Sequence, residues 1–385
     1  MHLTSSNTPK RTMIGLAALI LVVGAMVVIS LIREGQRSQS VSPKSSTTMV
    51  ARSESTPPTS SVAPTTLAPT TTLGPLGSGE PVTIVFAGDS HFESHLRTKL
   101  DNDPTGMLNP LLPLFAGADL TVLNLETAIT EGGTAAPKTY TFRAPPSAFD
   151  ALAAAGVDVV SMANNHGMDY GPEGFADSLA AAERAGFPVI GVGNTIDEAF
   201  APYLTTIRGQ TIAVISATQV LDDSLASQWT ATADQPGLAS AKDVDRLVRA
   251  VTDIRDDANT VVVFLHWGRE REICPIERQT DLARRLVDAG ADIVVGGHAH
   301  RLQGAGRMDD ALVAYGLGNF IWYNERGEGS KSGALAVTVT GRRIDAYEWR
   351  PARISGGIPR PLEGQEREAA LAEWNGLRDC TGLSE

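Results

Sequence analysis

Short, apolar, β-branched runs, several closed by a polar motif of histidine, carboxylate or carboxamide, constrain this chain more than any other feature. The runs are Val82–Ala87, Leu120–Leu123, Val157–Met162, Thr211–Ser216, Thr260–Leu265, Asp292–Val295, Leu312–Leu317 and Ala334–Thr340. Each is nearly continuous, as a strand buried on both faces has to be. Between several of them lie helical stretches with proline near the start and glycine just past the end. Pro145 to Ala155 precedes Gly156, Pro172 to Ala185 precedes Gly186, and Ile276 to Ala289 precedes Gly290. Asp243 to Asp257 is a fourth, with Val244, Leu247, Val248, Val251 and Ile254 on one face. Strand alternating with helix predicts an α/β domain.

In such sheets ligands gather beyond the carboxyl ends of the strands. That is where five motifs fall: Gly88-Asp89-Ser90-His91, Asn124-Leu125-Glu126, Ala163-Asn164-Asn165-His166, His266-Trp267-Gly268 and Gly297-His298-Ala299-His300. Each has a plainer reading alone. Asp89 suits a turn or a helix cap, Asn164 to Gly167 a polar turn, and His266-Trp267 the edge of a core. Two imidazoles around one alanine are the hardest to explain by packing. Five such motifs on one sheet edge point to chemistry.

The chemistry they suit is metal binding. Anionic oxygens and imidazole nitrogens are the ligands of Mn, Fe, Zn or Co, whereas Ca prefers oxygen alone. Two ions close together want a carboxylate to bridge them, and such a pair activates water and clamps the oxygens of a displacement. Asp89, His91, Glu126, Asn165, His266, His298 and His300 are therefore the candidate ligands, and Asp89 and His166 the candidate catalytic residues. Arg143, Trp267 and Asn319 are weaker candidates for the substrate side of the cleft.

The start of the chain reads differently. Met13 to Ile32 is uncharged and about long enough to cross a bilayer. It lacks the shorter apolar run and small-residue cleavage site of a signal peptide, so residues 13–33 are expected to be an uncleaved anchor after a cytoplasmic segment, 1–12. Residues 34–80, dominated by Ser, Thr and Pro, bury too little apolar surface to fold. They read as an extended linker that carries the domain outside the cell. Residues 81–350 make one large domain and 351–385 a C-terminal extension, with a short helix near Gln365–Trp374. Residues 81–385 hold 26 basic and 41 acidic residues, which argues against a nucleic-acid partner. Cys274 and Cys380 are the only cysteines; a disulfide and two separate thiols are both open readings.

At these motifs the chain resembles the CapA family of bacterial capsule and poly-γ-glutamate synthesis proteins. The resemblance runs from about Thr83 to Gly341. It includes Phe142-Arg143-Ala144-Pro145, Asp169-Tyr170-Gly171, Ala289-Gly290-Ala291-Asp292 and Tyr315-Gly316-Leu317-Gly318-Asn319-Phe320. That family in turn is similar to calcineurin-like metallophosphoesterases. The resemblance implies a four-layer α/β/β/α sandwich with a dinuclear site between two sheets. It implies Asp89, His91 and His300 at the first metal and Asn165, His266 and His298 at the second. Glu126 stands where a bridging aspartate is usual, and His166 assists the leaving group. Gly-His-Ala-His replaces the usual Gly-His-Pro-His-like segment. The function it implies is that of a membrane-anchored, outward-facing enzyme of capsule or poly-γ-glutamate synthesis or export. Its substrate would be an anionic polymer or peptide, and its partners the membrane subunits of a polymer synthase. An envelope phosphoesterase, a peptide amidase or epimerase, and a non-catalytic synthase subunit are the alternatives.

Overall fold

A computed structural model describes residues 76–385 of the chain. The anchor expected at 13–33 and the linker up to residue 75 lie outside the described residues. Among the described residues no helix is long and apolar enough to cross a membrane. Residues 76–80, the end of the expected linker, dock on the domain: Gln210 Nε2 donates to the carbonyls of Leu76 (3.1 Å) and Glu80 (2.9 Å).

Thirteen strands build two large mixed sheets. They are β1 (Val82–Ser90), β2 (Leu120–Leu125), β3 (Val159–Ser161), β4 (Val189–Ile190), β5 (Tyr203–Ile207), β6 (Gln210–Thr218), β7 (Thr260–His266), β8 (Ile293–Gly297), β9 (Ala305–Met308), β10 (Ala311–Ala314), β11 (Lys331–Thr340), β12 (Arg343–Ser355) and β13 (Ile358–Pro361). The first sheet has the order β13-β12-β11-β1-β2-β3-β4, the second β9-β10-β8-β7-β6-β5. In each, the site-bearing strands run parallel: β1 to β4 in the first, and β6, β7, β8 and β10 in the second.

The alternation of side chains along each strand assembles the layers. Val82, Ile84 and Phe86 of β1 share one cluster with Val262 and Phe264 of β7 and Ile293 and Val295 of β8, so the two sheets pack face to face. The alternate residues Val85 and Ala87 turn outward. They meet Leu96 and Leu100 of α1 (His95–Asn102), Phe149 and Leu152 of α2 (Ser147–Ala154) and Phe175 of α3 (Gly171–Ala185). On the other side Val261, Val263 and Leu265 meet Leu247 and Val251 of α4 (Val244–Ile254) and Leu282 and Leu286 of α5 (Glu277–Asp288). The order of layers is α/β/β/α.

Helix ends follow the punctuation. Asp243 caps α4 by accepting from the Arg246 amide (3.0 Å), and α3 stops at Gly186, whose φ of 60° suits glycine. The boundary expected at residue 350 falls inside β12. The sheet continues through β13, and only then does α6 (Gly364–Gly376) begin. Trp374 of α6 stacks on Trp349 of β12 with ring centroids 5.3 Å apart. Cys274 and Cys380 form a disulfide, which ties the end of the chain to the loop beyond β7.

Candidate metal centre

The carboxyl ends of β1, β2, β3, β7 and β8 meet at one edge of the sandwich, and the five motifs leave from there. Asp89 is the penultimate residue of β1, and Glu126 lies one residue past β2; both are fully buried. Gly297 lets the sheets approach: a Cβ at that position would lie 2.2 Å from Asp89 Oδ1. The chain then turns so sharply that His298 and His300 take φ values of 88° and 52°. Such conformations are costly for residues with a Cβ and persist where the surroundings enforce them. Here they aim two imidazoles at the carboxylates, and the His298 amide donates to Asp89 Oδ2 (2.9 Å).

Ligand-type atoms converge in two groups that share Glu126. One is Asp89, Glu126 and His266; the other is Glu126, His298 and His300. His266 Nε2 lies 3.5 Å from Glu126 Oε1, 2.7 Å from Asn165 Oδ1 and 3.1 Å from His298 Nδ1. His300 Nδ1 lies 3.2 Å from Asp89 Oδ2 and 2.9 Å from Asn319 Oδ1.

The donor set fits divalent cations. Both oxygens of Glu126 and Nε2 of His91 are buried without a hydrogen-bond partner, and an unpaired buried carboxylate is expensive unless a positive charge answers it. Burial and the neighbouring Asp89 push the Glu126 pKa well above its ordinary value. Burial and mutual repulsion hold His91 and His266 well below theirs, and bring His298 down to about 3. Neutral imidazoles are the form that binds metal, and the raised Glu126 pKa marks a carboxylate that needs a cation beside it to stay ionised.

Around these atoms the structure arranges a shell that orients them. Asn124 Nδ2 donates to Asp89 Oδ1 (2.8 Å), and Asn164 Nδ2 donates to Asn124 Oδ1 (3.0 Å). His166 Nδ1 faces Asp169 Oδ2 at 2.5 Å. Because a carboxylate only accepts, the ring proton sits on Nδ1, and Nε2 is left facing Glu126 Oε1 at 3.8 Å. Asp169, fully buried, also accepts from the Phe142 amide (2.6 Å) and pairs with Lys138 Nζ (3.0 Å). Lys138 in turn donates to the Asn165 carbonyl. His166 is held below its ordinary pKa by burial, against the pull of Asp169.

His91 stands apart from both ligand groups, in an aromatic cage. Its ring lies 4.6 Å from Phe142, 4.2 Å from Trp322 and 4.7 Å from Tyr323, and its Nδ1 accepts from the Glu93 amide (3.0 Å). Asn319 is in contact with the cluster through His300. The Arg143 guanidinium lies over the Tyr170 ring (4.7 Å). Trp267 is a correction. Expected in the cleft, it is fully buried in the outer core, stacked on Tyr315 and donating to the Tyr315 carbonyl (2.8 Å). The reason is the strand's period of two: Phe264 and His266 face inward, so Leu265 and Trp267 face the helices. Asn124, Lys138, Asp169 and Trp322 were not among the expected site residues. Asn124 and Asp169 belong to motifs visible in the sequence, whereas nothing local marks Lys138.

The model of the family described as "Bacterial capsule synthesis protein PGA_cap" matches residues 83–324. The "PGA biosynthesis protein CapA" of Bacillus subtilis is 30% identical over 258 residues, which cover 65% of this chain and 66% of that protein. The "Capsule biosynthesis protein CapA" of Bacillus anthracis is 27% identical over 292 residues, 74% of this chain and 70% of that one. The match thus spans about two thirds of these relatives' own length. Among solved structures, a hypothetical protein from Thermus thermophilus aligns with a TM-score of 0.44 at 16% identity, over 71% of this chain and 100% of that one.

Proposed function

The chain belongs to the bacterial capsule synthesis protein PGA_cap family, and from that premise we propose that it is a metal-dependent enzyme of surface-polymer synthesis or export. In this reading residues 13–33 anchor it in the cell membrane and the domain works outside the cell. It acts there on poly-γ-glutamate or a related anionic capsule, beside the membrane subunits of a polymer synthase. The observation that carries the reading is the orphaned Glu126 carboxylate between two groups of ligand atoms.

Two divalent transition metals fit this donor set. Asp89 and His300 would hold one, Asn165, His266 and His298 the other, and Glu126 would lie between them; His91, in neither ligand group, would join the first through its unpartnered Nε2. When bound, the metals supply Lewis acidity and a nucleophilic water at neutral pH. The chain's own residues do the rest. Asp89 and Glu126 bring negative charge to a site where His91, His266 and His298 are neutral. Asn124 and the His298 amide fix the Asp89 carboxylate. His166 carries its proton on Nδ1, held by Asp169, so Nε2 is free to accept a proton and return it to a departing oxygen or nitrogen. Phe142, Trp322 and Tyr323 shield the cluster from bulk water.

Metal analysis of the purified protein tests the reading, with Glu126→Gln as the control. We expect about two transition-metal ions per chain in the wild type, a strong loss in Glu126→Gln, and metal-dependent turnover of γ-glutamyl oligomers that His166→Ala removes. Turnover of aryl phosphates alone would move the assignment to an envelope phosphoesterase. Metal-free protein after reconstitution with Mn, Zn and Fe would end the enzymatic reading and leave a structural subunit.

A further inference from the structure

The C-terminal extension closes a pocket whose opposite wall includes Arg301, the residue that follows His300. Its one wall is Leu362, Ala370, Trp374 and Leu377; the other is Arg301, Leu302, Lys331, Ser332 and Trp349. Most of these residues lie beyond the segment 83–324 that the family model matches. The second wall is one step from the metal ligands. Arg301 follows His300 and donates to its carbonyl through Nη1 (2.9 Å). Ser332 Oγ donates to the carbonyl of Asn319 (2.7 Å), whose side chain touches His300.

The charges in the pocket are unequally paired. Lys331 is answered by Glu328 (2.8 Å) and by Glu373. Arg301 has no carboxylate within 4.0 Å among the described residues, and neither has Arg353 at the rim, whose Nη1 is 3.5 Å from Ser330 Oγ. An unpaired, half-buried guanidinium presents a rigid fork of donors suited to a carboxylate. The floor is apolar, made by Leu302, Trp349 and Leu377. The cavity is small, about 40 Å³.

We propose that this pocket is a subsite for the free terminal residue of the polymer, the one residue whose γ-carboxylate is unlinked, with its methylenes on Leu302 and Trp349 and that carboxylate on Arg301. It rests on the proposed function, and it adds how an acidic domain holds an acidic substrate beside its metals: by a local cation in a shaped cavity rather than by the overall field. Phosphate offers no methylene stem and should compete poorly.

The test is titration calorimetry of the full chain, metal content checked, with a γ-glutamyl trimer, glutarate and inorganic phosphate. Wild type is compared with Arg301→Gln, Arg301→Lys and Ala370→Phe. The last fills the pocket from α6 and keeps the arginine, so it stands if Arg301→Gln fails to fold. We expect trimer affinity to fall about tenfold or more in Arg301→Gln and Ala370→Phe, with a smaller loss in Arg301→Lys. Unchanged affinity in both Arg301→Gln and Ala370→Phe would overturn the subsite and leave the family reading intact. Arg301-dependent binding of glutarate without binding of the trimer would overturn the polymer subsite. Arg301-dependent binding of phosphate in place of glutarate would overturn the assignment.

Discussion

Replacing Asp169 by alanine should unfold the catalytic edge of the domain more than any other single polar change. Asp169 is fully buried; its Oδ2 accepts from the Phe142 amide at 2.6 Å and from His166 Nδ1 at 2.5 Å, and its Oδ1 forms an ion pair with Lys138 Nζ at 3.0 Å. The lysine side chain is only 10% exposed, so it cannot recover its hydration by a small movement. Breaking a buried ion pair by removing one partner costs about 3–5 kcal/mol, and an unsatisfied amide adds about 1–3. Since the His166 ring can turn to another acceptor, we take about 4 kcal/mol as the expected loss. With a urea slope of about 3 kcal/mol per molar, the midpoint should fall by roughly 1.3 M. Lys138→Met in the Asp169→Ala background removes an ammonium left with only the Asn165 carbonyl and the half-exposed Asp222 at 3.7 Å, and the double variant should recover about 2 kcal/mol relative to the sum of the singles. The assay is urea unfolding of the four proteins in EDTA, followed by tryptophan fluorescence. A coupling below about 0.5 kcal/mol, or a loss below about 1 kcal/mol in Asp169→Ala, would refute the buried pair as the element that holds His166.

Two further outcomes follow from the same physics. The Cys274–Cys380 bond closes a loop with a sequence separation of 106, so the Cys274→Ser, Cys380→Ser double variant should lose up to about 4.7 kcal/mol by the loop-entropy estimate; thermal melts that coincide with the wild type would contradict it. The pH dependence has two opposing parts. Burial holds His91, His266 and His298 below 6.5 in the fold, His298 at about 3, so their contribution is present above pH 6.5 and is lost as pH falls towards those values. Glu126 is raised, so its contribution is present below its ordinary pKa of 4.5 and is lost as pH rises through the folded value. The melting temperature of the metal-free protein should therefore drop on acidification below pH 6.5, and more steeply in Glu126→Gln; a melting temperature flat from about pH 7 to 4.5 in both would count against these assignments.

Much of the fold is legible without coordinates. The runs beginning at Val82, Leu120, Thr260 and Ala334 became strands because an apolar β-branched run has few other uses in a domain of this size. The helices ended at Gly156, Gly186 and Gly290 because the chain needs positive φ there, with values of 83°, 60° and 109°. The long strand β12 leaves no such mark. Its residues Arg343 to Ser355 mix charged and apolar side chains with a proline among them, and it is a strand because β11 and β13 pair with it. The motif residues were visible because metal chemistry demands a few side-chain types. The shell behind them was less so: Lys138 looks like any surface lysine until Asp169 is placed beside it.

The sequence by itself determined the alternation of strand and helix, the punctuation of the helices and the set of ligand-type side chains. These are local properties: a period of two or of 3.6, a positive φ, a residue type. Only the tertiary structure decided which of those side chains meet. The His298 amide reaches Asp89 across 209 residues, and Asn165 faces His266 across 101. It also sent Trp267 outward, joined Cys274 to Cys380, and folded the extension over Arg301. Contacts between distant segments arise from the packing of two sheets and their helices, where no local pattern records the partner.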